Sequence, residues 1–299
     1  MADALNLRAP SAFPSALRLL GVQVRAQLTV LRRIPVALFF TVVLPLMMLV
    51  LFNALFGSAD IDTGDGSWPL TQFYVASLTA LTVVSGTFTN LVNMIPYRRQ
   101  DGIMKRWRGS PLPRWVYLGG FVGSGIVLAF VAAVVMVLLG VVAYGTEIDP
   151  AKLPAALVTF VIAVAAFSAL GVAVAGLVRN PDAAPAVANA IVLPLGFISD
   201  VFVAIEERPR WMSLVADVFP LRPFVTSMQA ALNPSVDAPA FQWGRLAVVA
   251  AWGIGGIVLA SRTFKWEPVA DVGPSRRRGQ RSRSPRAQSA EWRSGGKTM

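Results

Sequence analysis

The sequence predicts an all-α integral membrane protein with six transmembrane helices and an N-terminal amphipathic helix. Three observations carry that expectation. The chain has 299 residues, of which 55% are hydrophobic and 14% charged, against about 25% charged in an ordinary soluble domain; its mean hydropathy is +0.59. Stretches 34–59, 66–97, 115–146 and 153–178 contain no formal charge at all. Each is long enough to cross a bilayer, because about 20 apolar residues rising about 1.5 Å apiece span a hydrocarbon core of about 30 Å. Finally, the net charge of +11 is unevenly distributed along the chain, as in a membrane protein whose cations are sorted to one side.

Taken in order, residues 1–14 are expected to be disordered, and 15–33 form a helix with Leu17, Leu20, Val24, Leu28 and Leu31 on one face. Arg18, Arg25 and Arg32 flank that face at intervals of seven, the pattern of a helix lying in the headgroup layer with its arginines reaching phosphate. Pro35 argues against this helix running straight into the first span. The first apolar run begins near Ile34 and exceeds the 7–15 residues of a signal-peptide core, so it is expected to stay as a span. The spans then fall near 36–56, 71–95, 116–143, 155–178, 184–205 and 243–262. Asp60, Asp62 and Asp65 lie between the first two spans in a connection expected to be solvated. The six-span part covers 34–265, and a basic tail, 266–299, is expected to be disordered because it lacks apolar periodicity.

Orientation follows from the cations. Five arginines precede the first span, six Lys/Arg lie in 96–114, Arg179 follows the fourth span and ten cations follow Ser261, so 22 of 27 fall on one side. The positive-inside rule places that side, with both termini, in the cytoplasm of a multi-pass plasma-membrane protein. The tail arginines suit anionic lipid; no reading domain accompanies them, so nucleic acid is not expected.

Composition also excludes chemistry. With no His and no Cys, there is no Cys nucleophile, no Ser-His-Asp arrangement, no His- or Cys-ligated metal and no disulfide. The charge-free spans lack the ionisable residues that proton relays and ion-coupled carriers require. Gly296-Lys297-Thr298 is the end of a P-loop pattern, but Glu291 stands where its first glycine belongs and no helix can follow. The chain is therefore expected not to be an enzyme and to bind no cofactor itself.

Two segments carry specific signals. In 96–114 the cations Arg98, Arg99, Lys105, Arg106 and Arg108 alternate with Ile103, Met104 and Trp107, a mixture suited to seating a short amphipathic helix in a partner's groove. The alternative is a loop that only anchors topology. On span 2, Thr79, Thr82, Gly86, Asn90 and Asn93 fall within roughly 80° of one face at 100° per residue; Asn189 on span 5 is a matching position. Such groups face protein or a cavity rather than lipid, so the stripe serves either helix packing or a translocation or dimer surface. Glycines 119, 120, 123 and 125 of span 3 are expected to permit close helix approach.

This order of segments resembles the permease subunit of ABC-2 type exporters, the group with daunorubicin-resistance-type drug exporters and polysaccharide or lipid exporters. Members carry an Arg-Glu-x-Gly-Thr-x-x-x-Leu-x-x-Ser-Pro-like stretch between spans 2 and 3. Arg99, Gly102, Arg106, Ser110 and Pro111 fit it, with Ile103 replacing the Thr and Gln100-Asp101 the acid. Residues 197–211, ending in Pro209-Arg210-Trp211, and 219–224 resemble the family's segment between spans 5 and 6, with Asp200 where many members have Gly. The likeness covers roughly 15–265.

The resemblance implies a type V exporter-like permease moving a hydrophobic or amphipathic compound outward. Energy would come from a separate ABC ATPase, two copies per complex, which holds the ATP and Mg. Residues Arg98, Arg99, Gly102, Ile103, Arg106, Trp107, Ser110 and Pro111 would form the ATPase-coupling loop, and 15–33 the connecting helix beside it. One six-span chain would be half a pathway, completed by a second copy or a related permease. A glycan or lipid-carrier permease, and a membrane scaffold without transport, have the same hydropathy.

Overall fold

Leu17, at 76% exposure, is among the most open residues of the N-terminal helix although it belongs to the expected apolar face. In the computed structural model, which describes residues 15–57, 59–62, 66–101, 113–202 and 209–263, helix α1 (Ala16–Arg32) buries Gln23, Gln27 and Leu31 instead. At 100° per residue its buried face is turned by about 60° from the leucine stripe. The cause lies on the third span. A Cβ on Gly120 would stand 2.5 Å from Gln23 Cγ, one on Gly123 2.6 Å from Val24 Cγ2, and one on Gly119 2.8 Å from Leu20 Cδ1. These glycines form a groove, and α1 is seated in it.

Among the described residues six helices are long and apolar enough to cross a membrane: Phe39–Phe56, Leu70–Gln100, Trp115–Tyr144, Pro150–Leu177, Pro181–Ile198 and Trp243–Thr263. We number these spans 1 to 6. Span 1 is built from α2 (Pro35–Leu38), a π turn (Phe39–Val43) and α3 (Leu44–Phe56). Pro45 has no N–H to give the Thr41 carbonyl, and the helix widens there, Leu44 N–H reaching back to Phe39 O. Span 2 is α4 (Leu70–Val84), a second π turn (Ser85–Thr89) and α5 (Asn90–Gln100). Spans 3, 4 and 5 contain α6 (Arg114–Tyr144), α7 (Leu153–Leu177) and α8 (Ala184–Ile198). After α9 (Arg210–Val218) and α10 (Leu221–Leu232), span 6 is α11 (Trp243–Thr263).

Span 2 is the buried centre, with 83% of its apolar window inside the protein against 17% for span 1. Spans 4 and 6 pack closely: a Cβ on Gly253 would lie 2.9 Å from Ala166 Cα, and one on Gly256 2.9 Å from the Leu170 nitrogen. The two bundle ends differ in charge. One carries α1, Arg98, Arg99 and Arg179 and is called the basic end; the other carries Asp60, Asp62, Glu147 and Asp149 and is called the acidic end.

Two expectations are corrected at the acidic end. The connection between spans 1 and 2 is not simply solvated: Asp60–Asp62 pairs antiparallel with Ser67–Pro69, which turns Ile61 and Trp68 inward to 5% and 2% exposure. Span 5 stops at Ile198 rather than continuing to 205, because Asp200 adopts a left-handed conformation (φ 58°). The segment before span 6 also folds into the bundle. Helix α10 is buried along most of its length and packs against spans 2, 4 and 6.

Polar side chains secure it there. Gln72 Nε2 donates to Leu232 O and to Glu147 O, and the buried Lys152 ammonium donates to Asn233 O at 2.8 Å. Both accepting carbonyls, Leu232 and Asn233, belong to the C-terminal end of α10, where a cation also opposes the helix dipole. The described residues belong to one compact unit, Met1–Pro268, while the other, Val269–Met299, lies outside them together with the rest of the basic tail and residues 1–14.

Candidate functional site

Between spans 1, 2 and 5 runs a cavity of about 1490 Å³. It extends from Asp60 and Ile61 at the acidic end to Arg98 and Asp101 at the basic end, so it follows the whole length of the spans. Span 1 contributes Phe40, Met48, Phe52 and Phe56, and span 5 contributes Val192, Leu193 and Phe197. These walls are apolar. Span 2 supplies a polar wall, with Ser85, Thr89, Asn90 and Asn93 facing Asn189 of span 5.

The π turn explains how one helix presents that wall. Leu81, Ser85, Thr89, Asn93, Tyr97 and Asp101, all lining the cavity, recur every four residues. In an uninterrupted α-helix each such step rotates the face by about 40°, winding about 200° over the run. A π turn accommodates one extra residue, taking back about 100°, so both halves of span 2 address the same cavity. The π turns of spans 1 and 2 touch one another, and Thr41 of the first also lines the cavity.

The same turn divides the polar stripe that uniform periodicity places on one face. Thr79 and Thr82 are buried, each donating its hydroxyl to a carbonyl four residues back, Val75 O and Leu78 O, at 2.6 Å. Gly86 lies against span 3, where a Cβ would stand 3.0 Å from the Ala129 backbone. Asn90 and Asn93 border the cavity. Asn90 Nδ2 and Asn93 Oδ1 are buried atoms without a hydrogen-bond partner among the described residues. Sequence reasoning passed over Ser85, Thr89, Thr41, Tyr97 and the phenylalanines; Pro45 was the one local signal of an irregular turn.

At the basic end, Arg98 lines the cavity mouth, while neighbouring Arg99 is 3% exposed and donates Nη2 to Val178 O, the C-cap carbonyl of α7. Tyr97 Oη donates at 3.4 Å to Asp182 Oδ1, in the first turn of span 5. The start of the 96–114 loop is thus tied to the ends of two other spans. Gly102, Ile103, Arg106, Trp107, Ser110 and Pro111 lie outside the described residues.

At the acidic end, Arg222 of α10 joins Asp200 (3.3 Å) after span 5 to Asp217 (2.6 Å) on α9. Gln229 Nε2 donates to Ser77 Oγ at 2.8 Å and to Asp200 O at 3.4 Å. Among the described residues no group of three or more acidic side chains is placed to hold a metal ion.

Known proteins share this chain's pattern over the segments that build the cavity. The chain is 28% identical over 213 residues to "Daunorubicin resistance ABC transporter permease protein DrrB1" of Streptomyces coeruleorubidus, covering 68% of this chain and 70% of that protein. It is 27% identical over 198 residues to "Putative transport permease ycf38" of Cyanophora paradoxa, covering 64% and 66%. The family model for the ABC-2 type transporter matches residues 18–233, from the first turn of α1 to the C-cap of α10. Every span that lines the cavity falls inside that match, and the chain belongs to the ABC-2 type transporter family.

Proposed function

We propose that this permease is one half of an exporter that moves a hydrophobic or amphipathic compound outward, driven by a separate ABC ATPase. The observation that carries the reading is the cavity between spans 1, 2 and 5, continuous from one end of the bundle to the other and lined by aromatic and uncharged polar side chains. The relative named for daunorubicin resistance supports a drug-like cargo. The chain itself does no catalysis in this reading, and ATP and Mg are held by two ATPase copies.

The basic end faces the cytoplasm by the positive-inside rule, which puts the 98–111 loop where an ATPase docks. Motion of that loop would pass through Tyr97 and Arg99 to the ends of spans 4 and 5, because those side chains bond Asp182 and Val178. Val50, Leu51 and Leu55 of span 1 and Leu193 and Phe197 of span 5 are exposed beside the cavity. A second copy, or a related permease, closes it along these edges, and rocking of the two halves alternates access.

The test is daunorubicin efflux from cells expressing the chain together with an ABC ATPase subunit. Ser85→Trp, which fills the middle of the cavity, is expected to reduce efflux about tenfold or more at unchanged membrane abundance. Arg106→Glu is expected to lower co-purification of the ATPase. Undiminished efflux with the plugged cavity would sink the pathway; an unaltered complex would remove the loop from coupling.

A further inference from the structure

We propose that the cavity contains a hydrogen-bonding belt, formed by Thr41, Ser85, Thr89, Asn90, Asn93 and Asn189, that accepts an uncharged hydroxyl- or carbonyl-bearing group of the transported amphiphile. The inference rests on the transport reading above and specifies the ligand class of the same cavity.

The hydrogen bonds of span 2 separate these residues from the rest. Thr71 donates to Gly57 O, and Ser77, Thr79, Thr82 and Thr87 each donate to a carbonyl four residues back. Every other serine and threonine of span 2, namely Ser85 and Thr89, lines the cavity and has no hydrogen-bond partner among the described residues. The contrast holds inside one π turn. Thr87, on the packed side, bonds Val83 O at 2.7 Å; Ser85 and Thr89, on the open side, bond nothing in the described protein. Thr41 in the adjoining π turn of span 1 and Asn189 on span 5 share that condition, as do the side chains of Asn90 and Asn93.

A serine or threonine in an apolar helix ordinarily returns its hydroxyl to the preceding turn, and polar groups left unpartnered away from water are costly. Six unpartnered side chains within about 12 Å along one cavity, with Asn90 Nδ2 and Asn93 Oδ1 buried outright, are a set of donors and acceptors open to a ligand. Thr89 and Asn189 lie about 12–16 Å from the basic ends of their spans at 1.5 Å per residue, close to the middle of the hydrocarbon.

The belt has no formal charge. The charged residues that line the cavity are Asp60 at the acidic end and Arg98 and Asp101 at the basic end. A cation or anion stopped at the belt would give up its water without meeting a counter-charge. A neutral hydroxyl, carbonyl or amide satisfies the six side chains with no such penalty. Toward the acidic end the walls become aromatic, with Phe52 and Tyr74 rings 4.7 Å apart on one side and Phe197 and Phe202 rings 5.1 Å apart on the other. They suit a planar or bulky apolar body attached to that neutral group.

The test uses the full chain in lipid nanodiscs and three probes with one aromatic body: pyrenebutanol, pyrenebutylamine and pyrenebutyrate at neutral pH. Binding is read as energy transfer from protein tryptophans to pyrene above that of empty nanodiscs. Pyrenebutanol is expected to bind about tenfold more tightly than either charged probe. Thr89→Val and Asn189→Leu are each expected to weaken pyrenebutanol several-fold and leave the charged probes unchanged, while Thr89→Ser retains binding. Equal binding of the three heads, preference for a charged head, or no saturable binding would each overturn the belt. So would loss of chain–chain cross-linking in Thr89→Val together with loss of probe binding, because the belt would then be a contact with a second copy. Efflux that Ser85→Trp blocks while the three heads bind alike rejects the belt and leaves the transport reading intact.

Discussion

Asp200 holds a left-handed backbone conformation (φ 58°) that costs a residue with a β-carbon about 1–2 kcal/mol, least for Asn and Asp. The neighbouring charges explain why a carboxylate is tolerated there. Its side chain is 11% exposed and meets Arg222, itself 17% exposed and also bonded to Asp217 and to Ser213 O. Asp200→Gly removes the backbone strain together with one ion-pair partner, and these effects oppose each other. Its unfolding midpoint in detergent is expected to stay near that of the parent. Arg222→Met leaves Asp200 buried without that cation and is expected to destabilise by about 3 kcal/mol. Combining the two substitutions should recover about 1 kcal/mol or more relative to Arg222→Met alone. Strict additivity would show that the pair contributes no coupling. The ion-pair partner of Asp200, 22 residues away on α10, becomes visible only after that helix folds into the bundle.

At the scale of elements, the six spans were legible because charge-free length is a one-dimensional property, whereas facing is not. Span 2 defeats a uniform 100° per residue because its π turn resets the register between Thr82 and Asn93. Thr79 and Thr82 therefore pack while Asn93 reaches the cavity. Helix α1 shows the same limit from outside: the glycines of span 3 take in Leu20 and Val24 from its apolar stripe but also Gln23, so the buried face is turned partly off that stripe. Span 3 supplies a groove three glycines long, and Gln23 and Val24 fill it. That seating can be captured covalently, since the chain has no cysteine of its own. A Cβ built on Gly123 lies 3.9 Å from Val24 Cβ, within the roughly 3.5–4.5 Å that a disulfide requires. The double variant Val24→Cys with Gly123→Cys is expected to cross-link α1 to span 3 on mild oxidation and to shift mobility on a non-reducing gel. Val22→Cys, paired with the same Gly123→Cys, should not cross-link, because Val22, at 60% exposure, lies on the side of α1 away from the groove. Efficient cross-linking of Val22 instead would put the opposite face of α1 against span 3.

On the whole molecule, charge is excluded from the spans and concentrated at their ends, and this separation dictates what can power it. Stretches 34–59, 66–97, 115–146 and 153–178 carry no Asp, Glu, Lys or Arg, and the chain has no His. The buried charges among the described residues serve structure at the two ends: Arg99 bonds the end of span 4, Lys152 bonds the end of α10, and Asp200 pairs with Arg222. No side chain along the middle of the cavity changes protonation near neutral pH. A proton gradient consequently has no group to act on along the middle of the cavity, which agrees with the proposed drive by an ATPase at the basic end. In proteoliposomes holding the permease, its ATPase and constant ATP, daunorubicin transport is expected to stay within about twofold when a pH gradient of about one unit is collapsed with nigericin. Removing ATP while that gradient is kept should abolish transport. The opposite pattern, loss on collapse of the gradient and persistence without ATP, would require a titrating group in the pathway that these spans do not contain, and would overturn the ATPase-driven mechanism.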